Sequence, residues 1–330
     1  MPEPAKDGLH APTGPVLEQM DPRRKWSPRR VALQLAGLLL GLALLAWAIR
    51  LSMSEENARG LASMRAAPAG EVVALFALTF TSLILNGLMF WITLRPVHRL
   101  DPTDTILTNA IATFLSILPF KLSLIARVLI HHRRDGVRFR LLIGWVAAVG
   151  ALAVSVLAPL IVAGVWRKQL DWLWWITVIV GLGLGGVAAV VLGRKSNTAA
   201  WLRTLSLGSY LLVQHPRAVI GHGVFRVLDV AVLAGRFLAA AMIINHEMPV
   251  DQAILLSTTY FLLSVLTPAG TLGFREMGVA ALGISQGLDE NSIALIALVV
   301  TGAEVLTSGA LALVGAIRIR PDRLVSAHRP

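Results

Sequence analysis

Long apolar runs recur along this chain, at Val31–Ile49, Val72–Leu94, Leu141–Val165, Trp172–Leu192, Val219–Ile244 and Ser292–Ile317. Each is long enough, as a helix, to cross the ~30 Å of hydrocarbon in a bilayer. The runs predict an all-α polytopic membrane protein. Composition agrees. The 330 residues are 55% hydrophobic and 15% charged, where soluble domains carry about 25% charge. The formal charge of +11 sits beside apolar spans, as anionic lipid and the positive-inside rule require, which argues against nucleic acid as partner. The chain has no cysteine, so disulfides and thiolate metal or redox sites are excluded. No metal or cofactor motif emerges.

Two further apolar stretches, near 105–131 and 252–287, are interrupted midway by proline with small or polar residues. Arg95, Arg99, Arg133, Arg134, Arg138 and Arg140 flank the first; Glu247, Asp251, Asp289 and Glu290 flank the second. Basic loops belong to the cytoplasmic side. The charges therefore balance if each broken stretch enters and leaves on one face, as a re-entrant helical hairpin. The expectation is six full spans plus two re-entrant hairpins; eight kinked spans is the alternative. Arg194, Lys195, Arg203, Arg318, Arg320 and Arg323 add to the cytoplasmic side. Arg167 and Lys168 fall outside and run against the rule there, beside an aromatic belt of Trp166, Trp172, Trp174 and Trp175. Residues 1–30 read as a disordered cytoplasmic tail, 31–320 as the transmembrane domain, and 321–330 as a second cytoplasmic tail. Ala46-Trp47-Ala48 resembles a signal-peptidase site, but an uncleaved anchor is expected. Trp201–Val213 is too short to span and reads as an amphipathic surface helix.

The broken stretches resemble each other. In one, Ser116 precedes Pro119 and Arg127; in the other, Ser264 precedes Pro268 and Arg275. Each arginine follows its serine by the same interval, and each hairpin follows two spans and precedes one. Starting from opposite sides, halves 31–165 and 172–317 form an inverted repeat. Where such repeats meet beside discontinuous helices, transporters place their substrate sites. A broken helix exposes backbone groups that protein, water or ligand must satisfy.

The segment Pro268-Ala-Gly270-Thr-Leu-Gly273-Phe-Arg275-Glu276 resembles a motif near the end of the lysylphosphatidylglycerol synthase transmembrane-region, or flippase-like, family. Leu118-Pro119-Phe-Lys121-Leu-Ser123 to Arg127, then Arg133-Arg134-Asp135-Gly136, is similar to its first-half motif. Ser123 and Leu124 stand where that family usually has Gly and Glu, and Ala269 replaces a Gly. The resemblance implies lipid movement across or within the bilayer, by the membrane half alone, without aminoacyl-transferase activity.

Candidate substrate-binding residues are Arg275, Gly270, Gly273, Glu276, Lys121 and Arg127. Arg226, Asp229 and Arg236 share one face of a span, and Glu304 lies mid-span in the last; these make a candidate polar pathway. The alternative for them is structural pairing, Arg226 with Asp229 and Arg236 with Glu304. Lys121 and Arg127 have the alternative of reaching to inner headgroups. His131 and His132 read as surface residues. Gly181 and Gly185 read as helix-packing glycines rather than a dinucleotide loop. Ser116 and Ser264 read as menders of broken-helix hydrogen bonds rather than nucleophiles.

The expected function is transport of an anionic phospho- or polyprenyl-phosphate-type lipid in a bacterial inner membrane, with both termini cytoplasmic. No catalytic set is apparent, so no enzyme activity is expected. Asp229 or Glu304 could carry a coupled proton. An intramembrane enzyme on a lipid headgroup, or a scaffold of an envelope-lipid synthesis complex, are the alternatives. Expected partners are anionic lipids, with a homo-oligomer or an envelope-synthesis protein in addition.

Overall fold

The computed structural model describes residues 39, 42–50, 53, 55, 58–117, 122–198, 206, 208–267, 271 and 273–319. The described residues are helical with short connections. After helical residues 42–50 come α1 (Ala58–Arg65), α2 (Ala69–Leu94), α3 (Pro102–Leu115), α4 (Leu122–Arg133), α5 (Phe139–Arg167), α6 (Trp172–Thr198), α7 (Tyr210–Val213), α8 (Pro216–Ile243), α9 (Val250–Leu266), α10 (Phe274–Ser285) and α11 (Glu290–Ile319). Four of these, α2, α5, α6 and α11, are long and apolar enough to cross a membrane. Helix α8 matches them with 28 residues but carries Arg226, Asp229 and Arg236.

The arms of the broken stretches are shorter. Helices α3 and α4 have 14 and 12 residues, or about 21 and 18 Å, well under the hydrocarbon thickness. They run antiparallel. Arg134, just past the end of α4, pairs with Asp104 at the start of α3 at 2.5 Å, and Arg127 meets Asn109 further up both arms. Asp101 caps α3 by accepting from the Asp104 N–H, with Pro102 at the first helical position, a favoured start. The second stretch folds likewise. Gly278 of α10 lies against Leu263 of α9, and Asp251 and Gln286 border one small cavity at the open end. The tips of the hairpins meet, the Thr271 N–H donating to the Ser116 carbonyl at 3.3 Å.

The rest of the packing is reciprocal. Helices α2 and α8 form the central antiparallel pair, with Gly235 against Leu78 at one end and Gly221 against Ile92 at the other. Helix α11, which follows the second hairpin, packs on the first arm of the first: Gly315 sits on Ile111, and Gly309 on Phe114. Helix α5, which follows the first hairpin, packs on the first arm of the second, with Gly164 on Leu255. Each half thus lends its last helix to the other half's hairpin. Helix α6 lies against α5, where Gly181 and Gly185 accept Pro159 and Ser155; a methyl at Gly181 would meet Pro159 at 2.5 Å. These two glycines pack helices, as their setting in an apolar span predicts.

One end of the bundle collects the basic loops. Arg318 at the end of α11 pairs with Asp104, His98 bonds the Asp135 carbonyl, and Leu212 of α7 packs with Leu94, Val128, Leu142 and Trp145. Of the surface helix expected over Trp201–Val213, only α7 and its flanks are described, and Leu212 is fully buried there. The expectation for His131 needs correction. It is buried against Trp145, with Nδ1 on Asp135; its helix turns that ring toward α5, and the polarity of adjacent residues gave no sign of it. At the opposite end Arg167 pairs with Asp171 in the α5–α6 connection. Asp171 also caps α6, accepting from the Trp174 N–H, and the guanidinium and this N–H together hold its carboxyl down at about 2.

Candidate functional site: a cationic cavity between the hairpin tips

Between the tips lies a cavity of about 170 Å³, bordered by α2, α3, α4, α8, α9, α10 and α11. Its lining is polar for a bundle interior. Ser82 and Asn86 come from α2, Asn109 from α3, Arg127 from α4, Arg236 from α8, Tyr260 and Ser264 from α9, Arg275 from α10 and Glu304 from α11.

The second hairpin is electrostatically complete. Gly273 precedes α10 with φ +84°, a conformation that only glycine adopts without strain. Its N–H donates to Glu276 Oε2 at 2.6 Å, so the carboxylate three residues on closes the first turn. The other oxygen of Glu276 accepts from Arg275 Nε at 3.1 Å and from the Thr301 hydroxyl at 2.6 Å. Thr301 has then spent its proton, so the Tyr260 hydroxyl 2.7 Å away donates to it. Arg275 lies over the Tyr260 ring and reaches Glu304 at 2.8 Å with Nη1. Glu304 accepts Arg236 on its second oxygen at 2.9 Å. The run Gly-Phe-Arg-Glu is therefore one folded unit: a glycine turn, a capping carboxylate and an arginine clamped between two carboxylates. One nitrogen of Arg275, Nη2, is buried without a partner.

A second pair lies beside the cavity. Arg226 Nη1 meets Asp229 Oδ2 at 2.7 Å, and Ser82 and Asn86 donate to the same carboxylate at 2.6 and 3.1 Å. All four residues of the proposed polar pathway are thus paired, Arg226 with Asp229 and Arg236 with Glu304. Glu304, with 13% of its side chain exposed, is the more open of the two carboxylates.

The first hairpin differs. Arg127 is buried, Nη2 donating to the neutral Asn109 at 2.9 Å and the guanidinium stacking on Phe90 at 3.6 Å. Asn109 is held by donating to the Leu83 carbonyl. Among the described residues no carboxylate pairs with Arg127, and its Nη1 is buried without a partner. Arg127 therefore faces the cavity. Among the described residues around the cavity, the guanidinium groups of Arg127, Arg236 and Arg275 face the carboxylates of Glu276 and Glu304, leaving one positive charge.

Arg275, Glu276, Arg127, Arg236 and Glu304 are brought together; Gly273 shapes the turn behind them. Lys121 and Gly270 lie outside the described residues. The Ser116 and Ser264 hydroxyls each donate to a carbonyl in the preceding turn, that of Thr113 and that of Tyr260. Sequence reasoning missed Asn109, Ser82, Asn86, Tyr260 and Thr301. Polar residues recurring inside otherwise apolar helices are the signal that could have found them.

A family model described as "Lysylphosphatidylglycerol synthase TM region" matches residues 34–312. No curated protein and no solved structure matches the chain.

Proposed function

Because the chain belongs to the lysylphosphatidylglycerol synthase TM region family, an integral membrane family related to lipid handling, we propose that it moves an anionic lipid through the cavity between its hairpin tips. The observation that carries this reading is Arg127. A buried guanidinium with no carboxylate and an orphan N–H costs several kcal/mol, a state that persists where a ligand completes it. A phosphate or phosphodiester group supplies both the charge and the acceptor. Arg275 Nη2 offers a second donor from the opposite hairpin. The volume suits a headgroup and excludes tails, which stay in lipid.

In this reading both hairpins are re-entrant and their tips meet near mid-bilayer. The end carrying Arg95, Arg134, Arg138 and Arg318 faces the cytoplasm of a bacterial inner membrane. The chain acts without catalysis, and alternating access is rocking of one half against the other about the central α2–α8 pair.

The test is reconstitution into phosphatidylcholine vesicles carrying fluorescent phosphatidylglycerol, with leaflet exchange followed by quenching from outside. Wild type accelerates exchange, and Arg127→Gln abolishes the acceleration while keeping the thermal midpoint. No acceleration across a panel of anionic lipids, or equal rates for the variant, sinks the proposal.

A further inference from the structure

A second, larger cavity lies away from the central one. It is an apolar groove of about 760 Å³ between α5, α6 and α8. Along α6 it runs from Leu182 to Arg194, and along the antiparallel α8 from Leu228 back to Pro216. Twelve residues of helix are about 18 Å, slightly more than one leaflet's half of the ~30 Å hydrocarbon core.

The groove exists because of glycines that nothing else requires. Gly181 and Gly185 are forced by contact with α5, but methyl groups on Gly183 and Gly186 of α6 and Gly223 of α8 would meet no atom within 4 Å. All three line the groove. Glycine within a helix costs about 0.5–1 kcal/mol relative to alanine. Three such positions, with no close neighbour to accommodate, keep open a space that side chains would fill.

The polar features say what fills it. At its basic-loop end stands Arg194, which makes no ion pair among the described residues. The α8 N-terminus, with its partial positive charge, opens beside it at Pro216. In the wall lies His222, fully buried, Nδ1 toward Thr93 and Nε2 without a partner.

We infer that this groove is a binding site for one hydrocarbon tail of an anionic phospholipid, its phosphate resting on Arg194 at the α8 N-terminus. In a bilayer an unfilled apolar groove would forfeit its packing contacts, and an alkyl chain entering it restores them. The headgroup cation decides which lipid that chain belongs to. The site is independent of the central cavity: it holds a tail whether or not lipid moves.

The experiment is photo-crosslinking of the full chain in phosphatidylcholine nanodiscs, using phosphatidylglycerol with a diazirine in one tail. Crosslinks should concentrate on residues 182–191 and 219–228, above the equally lipid-facing Leu306 and Leu313 of α11. A phosphatidylcholine probe with the same tail should label the groove about fivefold less, the equivalent of ~1 kcal/mol for one surface arginine. Arg194→Gln should erase that difference. Gly183→Leu with Gly186→Leu should abolish groove labelling and leave the thermal midpoint unchanged or higher. Equal labelling of groove and α11 face, or by both probes, overturns the inference. So do crosslinks from a benzophenone at position 187 to residues 1–41 or 199–205, which would show the chain filling its own groove. Arg127→Gln leaves groove labelling intact, so failure here and failure of the transport reading are told apart.

Discussion

Changing Asn109 to aspartate separates a binding role for Arg127 from a structural one. The two side chains are isosteric, and Arg127 Nη2 already sits 2.9 Å from Asn109 Oδ1. The substitution turns a hydrogen bond from a cation to a neutral acceptor, worth roughly 1.5–3 kcal/mol, into an ion pair. The cost of burying the new carboxylate, several kcal/mol alone, falls on a site where Arg127 already lacks a counter-ion. A thermal midpoint equal to or above that of wild type is expected. Lipid binding should suffer instead. A headgroup anion held about 5 Å from the new carboxylate meets roughly 3 kcal/mol of repulsion at an effective dielectric near 20, about two-hundredfold in affinity. The measurements are thermal unfolding in nanodiscs and leaflet exchange of phosphatidylglycerol in vesicles, on the same preparation. Asn109→Asp protein that is stable and still exchanges lipid at the wild-type rate refutes the assignment of Arg127 to the headgroup.

Glu304→Gln leaves Arg275 and Arg236 short of their shared carboxylate and should cost about 3–5 kcal/mol, read as a lower unfolding midpoint; Arg236→Met added to Glu304→Met should recover much of it, and no recovery would mean the network is not the cause. Gly273→Ala forces a side chain to φ +84° and should cost about 1–3 kcal/mol, measured the same way. Gly181→Leu must displace Pro159 from a 2.5 Å approach and should destabilise by about 1–3 kcal/mol, whereas Gly183→Leu, two residues on, should not. The Asp171 carboxyl sits at about 2, below the ordinary aspartate value, so its contribution is fully present above pH ~4 and is lost as pH falls through about 2. Asp171→Asn should leave the midpoint's pH profile unaltered between pH 5 and 8 and flatten its acid limb, as unfolding at stepped pH would report.

The helices themselves were legible because lipid permits few alternatives: an apolar run of spanning length must be helical, and basic loops must gather at one end. The hairpin breaks were legible where proline stands among small or polar residues, for α3 ends at Leu115 and α4 begins at Leu122, and α9 ends at Leu266 and α10 begins at Phe274, whereas Pro159 in an apolar run leaves α5 unbroken. Pairing was not. Arg236 and Glu304 lie far apart in the chain, and nothing local says that an aspartate three residues from Arg226 will also receive Ser82 and Asn86 from α2. The Gly273–Glu276 unit was visible as a motif, yet its physical content, a backbone N–H capped by a carboxylate that also holds Arg275, emerges only in three dimensions. His131 shows the same limit: adjacent histidines among basic residues look exposed until a hairpin arm presses one of them onto Trp145.

The two halves are alike in topology and unlike in charge, and that difference bears on how the protein works. The equivalent arginines, Arg127 and Arg275, sit on the returning arms of hairpins whose tips touch at Ser116 and Thr271. Arg275 is clamped by two carboxylates and a ring, and each clamp comes from a different helix: Glu276 from α10, Glu304 from α11, Tyr260 from α9. Moving the second hairpin against its neighbours would break the buried Arg275–Glu304 ion pair, at about 3–5 kcal/mol, and the hydrogen bond from Thr301 to Glu276. Arg127 is tied to α3 within its own hairpin and to α2 through Phe90, by one hydrogen bond to a neutral amide and a stacked ring. Displacing the first hairpin therefore costs less, and an arriving anion would repay that cost. The mobile half should be the first and the fixed half the second. Under the proposed transport reading, the hairpin with the unclamped arginine is the rocker and the one with the clamped arginine the stator, and the headgroup supplies the anion that Arg127 lacks.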